Sequence, residues 1–104
     1  MLASDKQFAK NKSLDDFLEQ IINLYNDEKF KKVIFCSNKY LEKNPPSHKL
    51  YNILGITYNK LNNSKLAFDS YSKAINIEPN FAVSYFNLGL LFHEQNSFDH
   101  AIEN

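Results

Sequence analysis

The chain has 104 residues, with 12 basic and 12 acidic side chains that cancel to a formal net charge of zero. This balance excludes the electrostatic footprint needed to hold nucleic acid or an anionic membrane, so neither is an expected partner. All the basic residues are lysine, which also removes the planar guanidinium fork that grips phosphate in two places at once.

Taken in chain order, the pattern predicts six helical segments. Residues 1–12 lack a sustained apolar period and read as a polar lead-in. Ser13 with Asp16 forms a capping-box variant that opens a helix over Leu14–Asn26. Asn26-Asp27 breaks it, and a second helix over Glu28–Glu42 carries Phe30, Val33, Ile34, Ser37 and Leu41 near helical spacing. Asn44-Pro45-Pro46 ends that helix, because proline cannot continue it and restricts the residue before it. Ser47 caps a third helix over His48–Leu61. Asn62-Asn63-Ser64 turns into a fourth over Lys65–Ile77, and Pro79-Asn80 starts a fifth over Phe81–Gln95. Asn96-Ser97 is expected to turn into a sixth, of which Phe98–Asn104 is present. Connections this short make successive helices antiparallel neighbours.

The chain also overlays on itself at an offset of 34 residues: Tyr51, Leu54, Gly55, Tyr58 and Ala67 fall on Tyr85, Leu88, Gly89, Phe92 and Ala101, and Pro45 falls on Pro79. Tyr51-x2-Leu54-Gly55-x2-Tyr58, then Ala67-x3-Tyr71, Ala74 and Pro79, reproduces a known helix-turn-helix signature of that period. The chain strongly resembles the tetratricopeptide repeat family over about nine tenths of its length. The resemblance implies an all-α fold, an α-solenoid of antiparallel helix hairpins with about two and a half repeats. On this reading residues 1–13 are the lead-in, 14–47 a degenerate repeat, 48–81 a full repeat and 82–104 a truncated one. The degenerate copy has Ile21 in place of the glycine and Ser37 and Tyr40 in place of the aromatic and the alanine.

Glycine inside a helix costs about 1 kcal/mol relative to alanine, so Gly55 and Gly89 require a packing reason. Close approach of the partner helix supplies one, with Ala67 and Ala101 as the matching small surfaces. Ile21 and Val33 at the equivalent places predict a wider first hairpin.

In this family the concave face, lined by the first helix of each repeat, usually carries the function. Carried onto this chain, that face takes Asp15, Leu18, Glu19, Ile22 and Tyr25, then Lys49, Asn52, Ile53, Ile56, Asn59 and Lys60, then Val83, Phe86, Asn87, Leu90, His93 and Glu94. The expected partner-binding set is Leu18, Ile22, Tyr25, Lys49, Asn52, Ile53, Ile56, Asn59, Phe86, Asn87 and Leu90. Its apolar centre and flanks of both signs suit an extended or helical peptide with apolar anchors; packing against another helix or a second chain is the alternative. Some tetratricopeptide repeats clamp the carboxylate tails of chaperones, and the corresponding positions here hold Leu18, Ile22, Ile53, Val83 and Asn87, of which Asn87 alone can donate to a carboxylate. The asparagine ladder of the arms of O-linked N-acetylglucosamine transferases is matched at Asn87-Leu88-Gly89, with Glu19 and Ile53 on the other rungs.

Catalytic chemistry finds no constellation. His48, His93 and His100 lie on different segments, no cysteine–histidine cluster has zinc spacing, and there is no glycine-rich phosphate loop. Asp15-Asp16 and Asp27-Glu28 read as helix-terminus charges. No cofactor, metal site or catalytic residue is expected. The lone Cys36 sits in an apolar run and, with no apolar stretch long enough for a membrane span and a polar N-terminus, points to a reducing, cytoplasmic setting. The expected function is a non-catalytic protein-interaction scaffold. The alternatives are a recruiting arm of a larger modifying enzyme, such as a glycosyltransferase or sulfotransferase, and a self-association module. The half helix at the C-terminus leaves Leu88, Leu91 and Phe92 uncovered, which suggests a fragment of a longer array, a homo-oligomer through the last repeat, or a domain swap.

Overall fold

A computed structural model describes residues 13–103, with side chains described up to Gln95. Five helices follow one another: α1 (Leu14–Asn26), α2 (Phe30–Lys43), α3 (His48–Lys60), α4 (Ser64–Ile77) and α5 (Ala82–Glu103). No strand occurs among the described residues. Each helix packs on the next, and the first helices of successive hairpins also touch, α1 against α3 and α3 against α5. That is the arrangement of an all-α repeat stack.

Local chemistry sets the helix starts. The Ser13 hydroxyl accepts from the Asp16 amide at 3.1 Å, Ser47 from Leu50 at 3.3 Å, and the Asn63 carboxamide oxygen from Leu66 at 3.2 Å, each satisfying an amide the first turn leaves unpaired. The two hairpin turns are built alike. Glu28 and Asn62, 34 residues apart, adopt left-handed backbone conformations at φ 60° and 61°. The amides that follow them, of Lys29 and Asn63, reach back to the Leu24 and Tyr58 carbonyls at 2.9 Å. This is the hydrogen-bond closure of a helix C-terminus by a left-handed residue, a conformation asparagine tolerates better than glutamate.

The third equivalent position behaves differently. Asn96 does not turn, and α5 runs on to Glu103, so the predicted sixth helix is the continuation of the fifth. Straight continuation keeps the i→i−4 hydrogen-bond ladder unbroken through Asn96.

The core lies where α3, α4 and α5 meet. Ala67, Tyr71 and Leu91 form its buried centre, with Ile56, Tyr58 and Leu88 packed around them. The α3–α4 hairpin is the most closely packed pair and α1–α2 is looser, as the sequence predicts from Ile21 and Val33. The contact that closes α3 on α4 differs in one respect from expectation. The residue against Gly55 is Tyr71: a Cβ added to Gly55 would lie 2.6 Å from the Tyr71 Cδ1 and 2.8 Å from Cζ.

In the first hairpin the same two positions hold Ile21 and Ser37, both buried. Large and small have exchanged sides, so the second hairpin sets glycine under tyrosine and the first sets isoleucine beside serine. The exchange conserves volume and leaves the Ser37 hydroxyl buried without a hydrogen-bond partner among the described residues. Gly89, by contrast, has nothing within 4 Å of where a Cβ would stand. Among the described residues no helix lies over Gly89.

Candidate functional site

Translation by one repeat separates the positions assigned to the inner face into two kinds. Leu18, Asn52 and Phe86 are equivalent, 34 residues apart. Leu18 and Asn52 are each 7% exposed, while Phe86 is 66% exposed. The first two are therefore junction residues between repeats, not open surface. The structure corrects their placement, because the first helix of the following repeat lies against α1 and α3 but no described helix lies against α5 on that side.

Asn52 is the centre of a polar junction. Its side-chain oxygen accepts from the Asn87 amide at 3.0 Å and from the Ser84 hydroxyl at 3.5 Å. Two turns further on, Asn59 donates to Glu94 at 3.2 Å, and Gln95 donates to the Ser64 hydroxyl on α4. Asn52–Asn87 and Asn59–Glu94 both join residues 35 apart, one residue beyond the sequence period. This stagger fixes the register of α5 on α3. Asn87 is consequently engaged within the chain, as are Asn52 and Asn59. Ser84, fully buried, was not singled out by sequence reasoning; a search for polar pairs at the repeat period plus one residue finds the Asn52–Asn87 pair to which it donates. Asn52→Ala leaves the buried Ser84 hydroxyl and the Asn87 amide without their shared acceptor and is expected to cost about 1 to 3 kcal/mol. Chemical denaturation of the variant checks this.

The second kind of position is open. Ile22, Ile56 and Leu90 are equivalent, and the structure leaves Ile22 and Leu90 exposed and Ile56 half-buried. Between α1 and α3, Ile22, Tyr25, Ile53 and Ile56 enclose a depression of about 120 Å³ lined by apolar atoms alone. Lys49 and Lys60 are exposed at the two ends of α3. The predicted set thus divides: Ile22, Tyr25, Ile53 and Ile56 come together, Phe86 and Leu90 stand on α5 with Lys49 apart on α3, Asn52, Asn59 and Asn87 tie the repeats, and Leu18 belongs to the core. A separate polar cleft of about 440 Å³ is lined by Asn59, Asn62, Ser64, Glu94 and Gln95.

Titration offers little for catalysis. Burial pushes the Tyr71 hydroxyl up from 10 to about 12, with smaller contributions from Tyr25 and Glu94. The neutral form is the one the fold favours, so the associated stability is complete below the unfolded value near 10 and is lost as pH rises through about 12. An alkaline absorbance titration should show one of the six tyrosines ionising late, and Tyr71→Phe should abolish that late step. Among the described residues no group of three or more metal-ligating side chains assembles and no helix is long and apolar enough to cross a membrane. Cys36, which the sequence sets in an apolar run, is half-buried and free.

The helix pairs, the period and the glycine–aromatic contact have a counterpart among known families, since the family model described as TPR repeat matches residues 55–96. The chain carries tetratricopeptide repeats. The peroxisomal targeting signal receptor of Kluyveromyces lactis is 35% identical over 66 residues, which are 64% of this chain and 12% of the receptor. The receptor of the same name from Candida albicans is 36% identical over 66 residues, 64% of this chain and 11% of the receptor. That of Saccharomyces cerevisiae is 30% identical over 87 residues, 81% and 14%. The chain thus matches only about an eighth of the length of each of these receptors.

Proposed function

We propose that these tetratricopeptide repeats hold a short peptide segment of a partner protein against the α1–α3–α5 face and perform no chemistry themselves. The observation that carries this reading is the row Ile22, Ile56, Leu90: one repeat position, apolar in every copy, exposed at Ile22 and Leu90 and half-buried at Ile56. A position that only maintained the fold would be covered, as Leu18 and Asn52 are. Alternate side chains of an extended peptide need pockets of this kind for specificity, and the depression between Ile22, Tyr25, Ile53 and Ile56 takes an aliphatic side chain.

The relatives' name supports a targeting signal as the partner. A C-terminal Ser-Lys-Leu is a peroxisomal address read by a receptor. Its leucine suits the apolar depression, and Lys49 and Lys60 are the cations available to its carboxylate. The test is a fluorescence-anisotropy titration with a labelled peptide ending in Ser-Lys-Leu. Saturable binding is expected, weakened about tenfold or more, or 1.4 kcal/mol, by Ile56→Asp and by the pair Phe86→Ser with Leu90→Ser. Binding that these variants leave unchanged refutes the face, and absence of binding refutes this signal as its ligand.

A further inference from the structure

The zero net charge of the chain conceals a division between its first two helices. Helix α1 carries Asp15, Asp16 and Glu19 and no lysine, whereas α2 carries Lys31, Lys32, Lys39 and Lys43 against the single carboxylate of Glu42. The four lysines fall at three- and four-residue spacing about Phe35, which places them on one face of the helix, and all are exposed. Phe35 is 63% exposed, with the Lys39 Nζ 5.8 Å from its ring centre. The other acids nearby in sequence, Asp27 and Glu28, lie in the turn before the helix.

The fold does not require this arrangement. Translated by one repeat, Phe35 falls on Asp69, Lys32 on Leu66 and Lys43 on Ile77, so the second hairpin folds with a carboxylate where the first has an aromatic ring. The start of α2 is also electrostatically unfavourable: its first turn has no acid, and Lys29 at the N-cap makes no side-chain cap hydrogen bond, although the helix dipole favours carboxylates there. Nor does stacking cover the face. Helix α4 has a hairpin before it and α5 after it, yet Lys65, Leu66, Asp69, Lys73 and Ile77, the equivalents of the α2 residues, are all exposed. This side of a second helix stays open inside the array.

We propose that this face of α2 docks an acidic segment of a partner protein, in which an apolar side chain packs on Phe35 and flanking carboxylates meet the surrounding lysines. The charge decides the occupant. Lys39 and Lys43, four residues apart, repel each other, and carboxylates laid along the helix relieve that repulsion while partners of the wrong charge are turned away. Phe35 at the centre supplies the aromatic anchor that lysines alone lack. The chain has no arginine, whose planar fork grips phosphate in two places, which favours carboxylates over a phosphate surface. The row Ile22, Ile56, Leu90 stands on α1, α3 and α5, so both surfaces can be occupied together.

The probe is a fluorescent peptide Glu-Asp-Glu-Leu-Phe-Glu-Asp-Glu, titrated into the intact chain and followed by anisotropy. Saturable binding is expected, weakening as added salt shortens the Debye length from about 30 Å at ~0.01 M to about 10 Å at ~0.1 M. Phe35→Asp, which imports the second hairpin's own residue, should weaken it at least about tenfold, and so should Lys32→Gln combined with Lys39→Gln. These side chains are exposed, so the variants remain folded, which circular dichroism verifies. A peptide with Ser-Ser in place of Leu-Phe should lose a similar factor, whereas Ile56→Asp should leave binding unchanged. No binding, binding indifferent to the α2 variants, or binding abolished by Ile56→Asp overturns the proposal. So does a chain that ignores the peptide but sediments with phosphatidylserine vesicles through the same residues, because the occupant is then a membrane.

Discussion

Tyr71→Ala should lower the unfolding free energy by about 3 to 5 kcal/mol, the upper range for removing a buried aromatic ring. Tyr71 is 2% exposed and packs with Ala67 and Leu91 at the centre of the core, with Ile56, Tyr58 and Leu88 around them. The loss falls in the upper range because the space cannot collapse: the surface facing the ring is Gly55, which has no side chain to move into the void. A domain of this size has about 5 to 15 kcal/mol in total, so the melting temperature should fall by more than about 12 °C. Thermal unfolding followed by circular dichroism measures it. A fall of only a few degrees would mean that the ring is not the wedge between α3 and α4.

The two glycines should respond in opposite directions. Gly55→Val drives a side chain into the Tyr71 ring and is expected to destabilise by about 1 to 3 kcal/mol through overpacking. Gly89→Ala meets no neighbour and gains the helix propensity that glycine lacks, so it should stabilise by about 0.5 to 1 kcal/mol. The first hairpin supplies a sharper control. Gly55→Ile combined with Tyr71→Ser imports the pairing found at Ile21 and Ser37, and the double variant should lose less than the sum of the singles, by a coupling within about 0.5 to 3 kcal/mol. Additive losses would show that the large–small exchange between the hairpins has no energetic content.

Helices α1 to α4 were legible to within two residues because capping residues, prolines and the 34-residue period act locally and agree. The period also revealed the glycine–aromatic theme, though it paired Gly55 with Ala67, where the structure sets Tyr71 against it. Gly89 was not legible at all. A glycine in register carries the same signal whether a helix covers it, as at Gly55, or not, as at Gly89. Leu18 and Asn52 were misplaced for a related reason. Helical spacing puts them beside the inner-face residues, but burial there is set by the next repeat, which a single helix's periodicity does not contain. The Asn52–Asn87 and Asn59–Glu94 pairs escaped because their separation follows the packing stagger of α3 and α5, not the repeat length.

That stagger has a functional corollary. By tying α5 to α3, the polar junction fixes where Leu90 stands relative to Ile56, and with it the spacing of the apolar row that a peptide would meet. Asn52→Ala should therefore weaken peptide binding in addition to its cost in stability.

Isoleucine and leucine methyl NMR spectra recorded as the peptide ending in Ser-Lys-Leu is added test the central claim most directly. The methyl groups of Ile22, Ile53, Ile56 and Leu90 should shift together and saturate with one affinity, while Ile77, exposed on α4, stays in place. Shifts centred on Ile77, with the row Ile22, Ile56 and Leu90 unmoved, would contradict it.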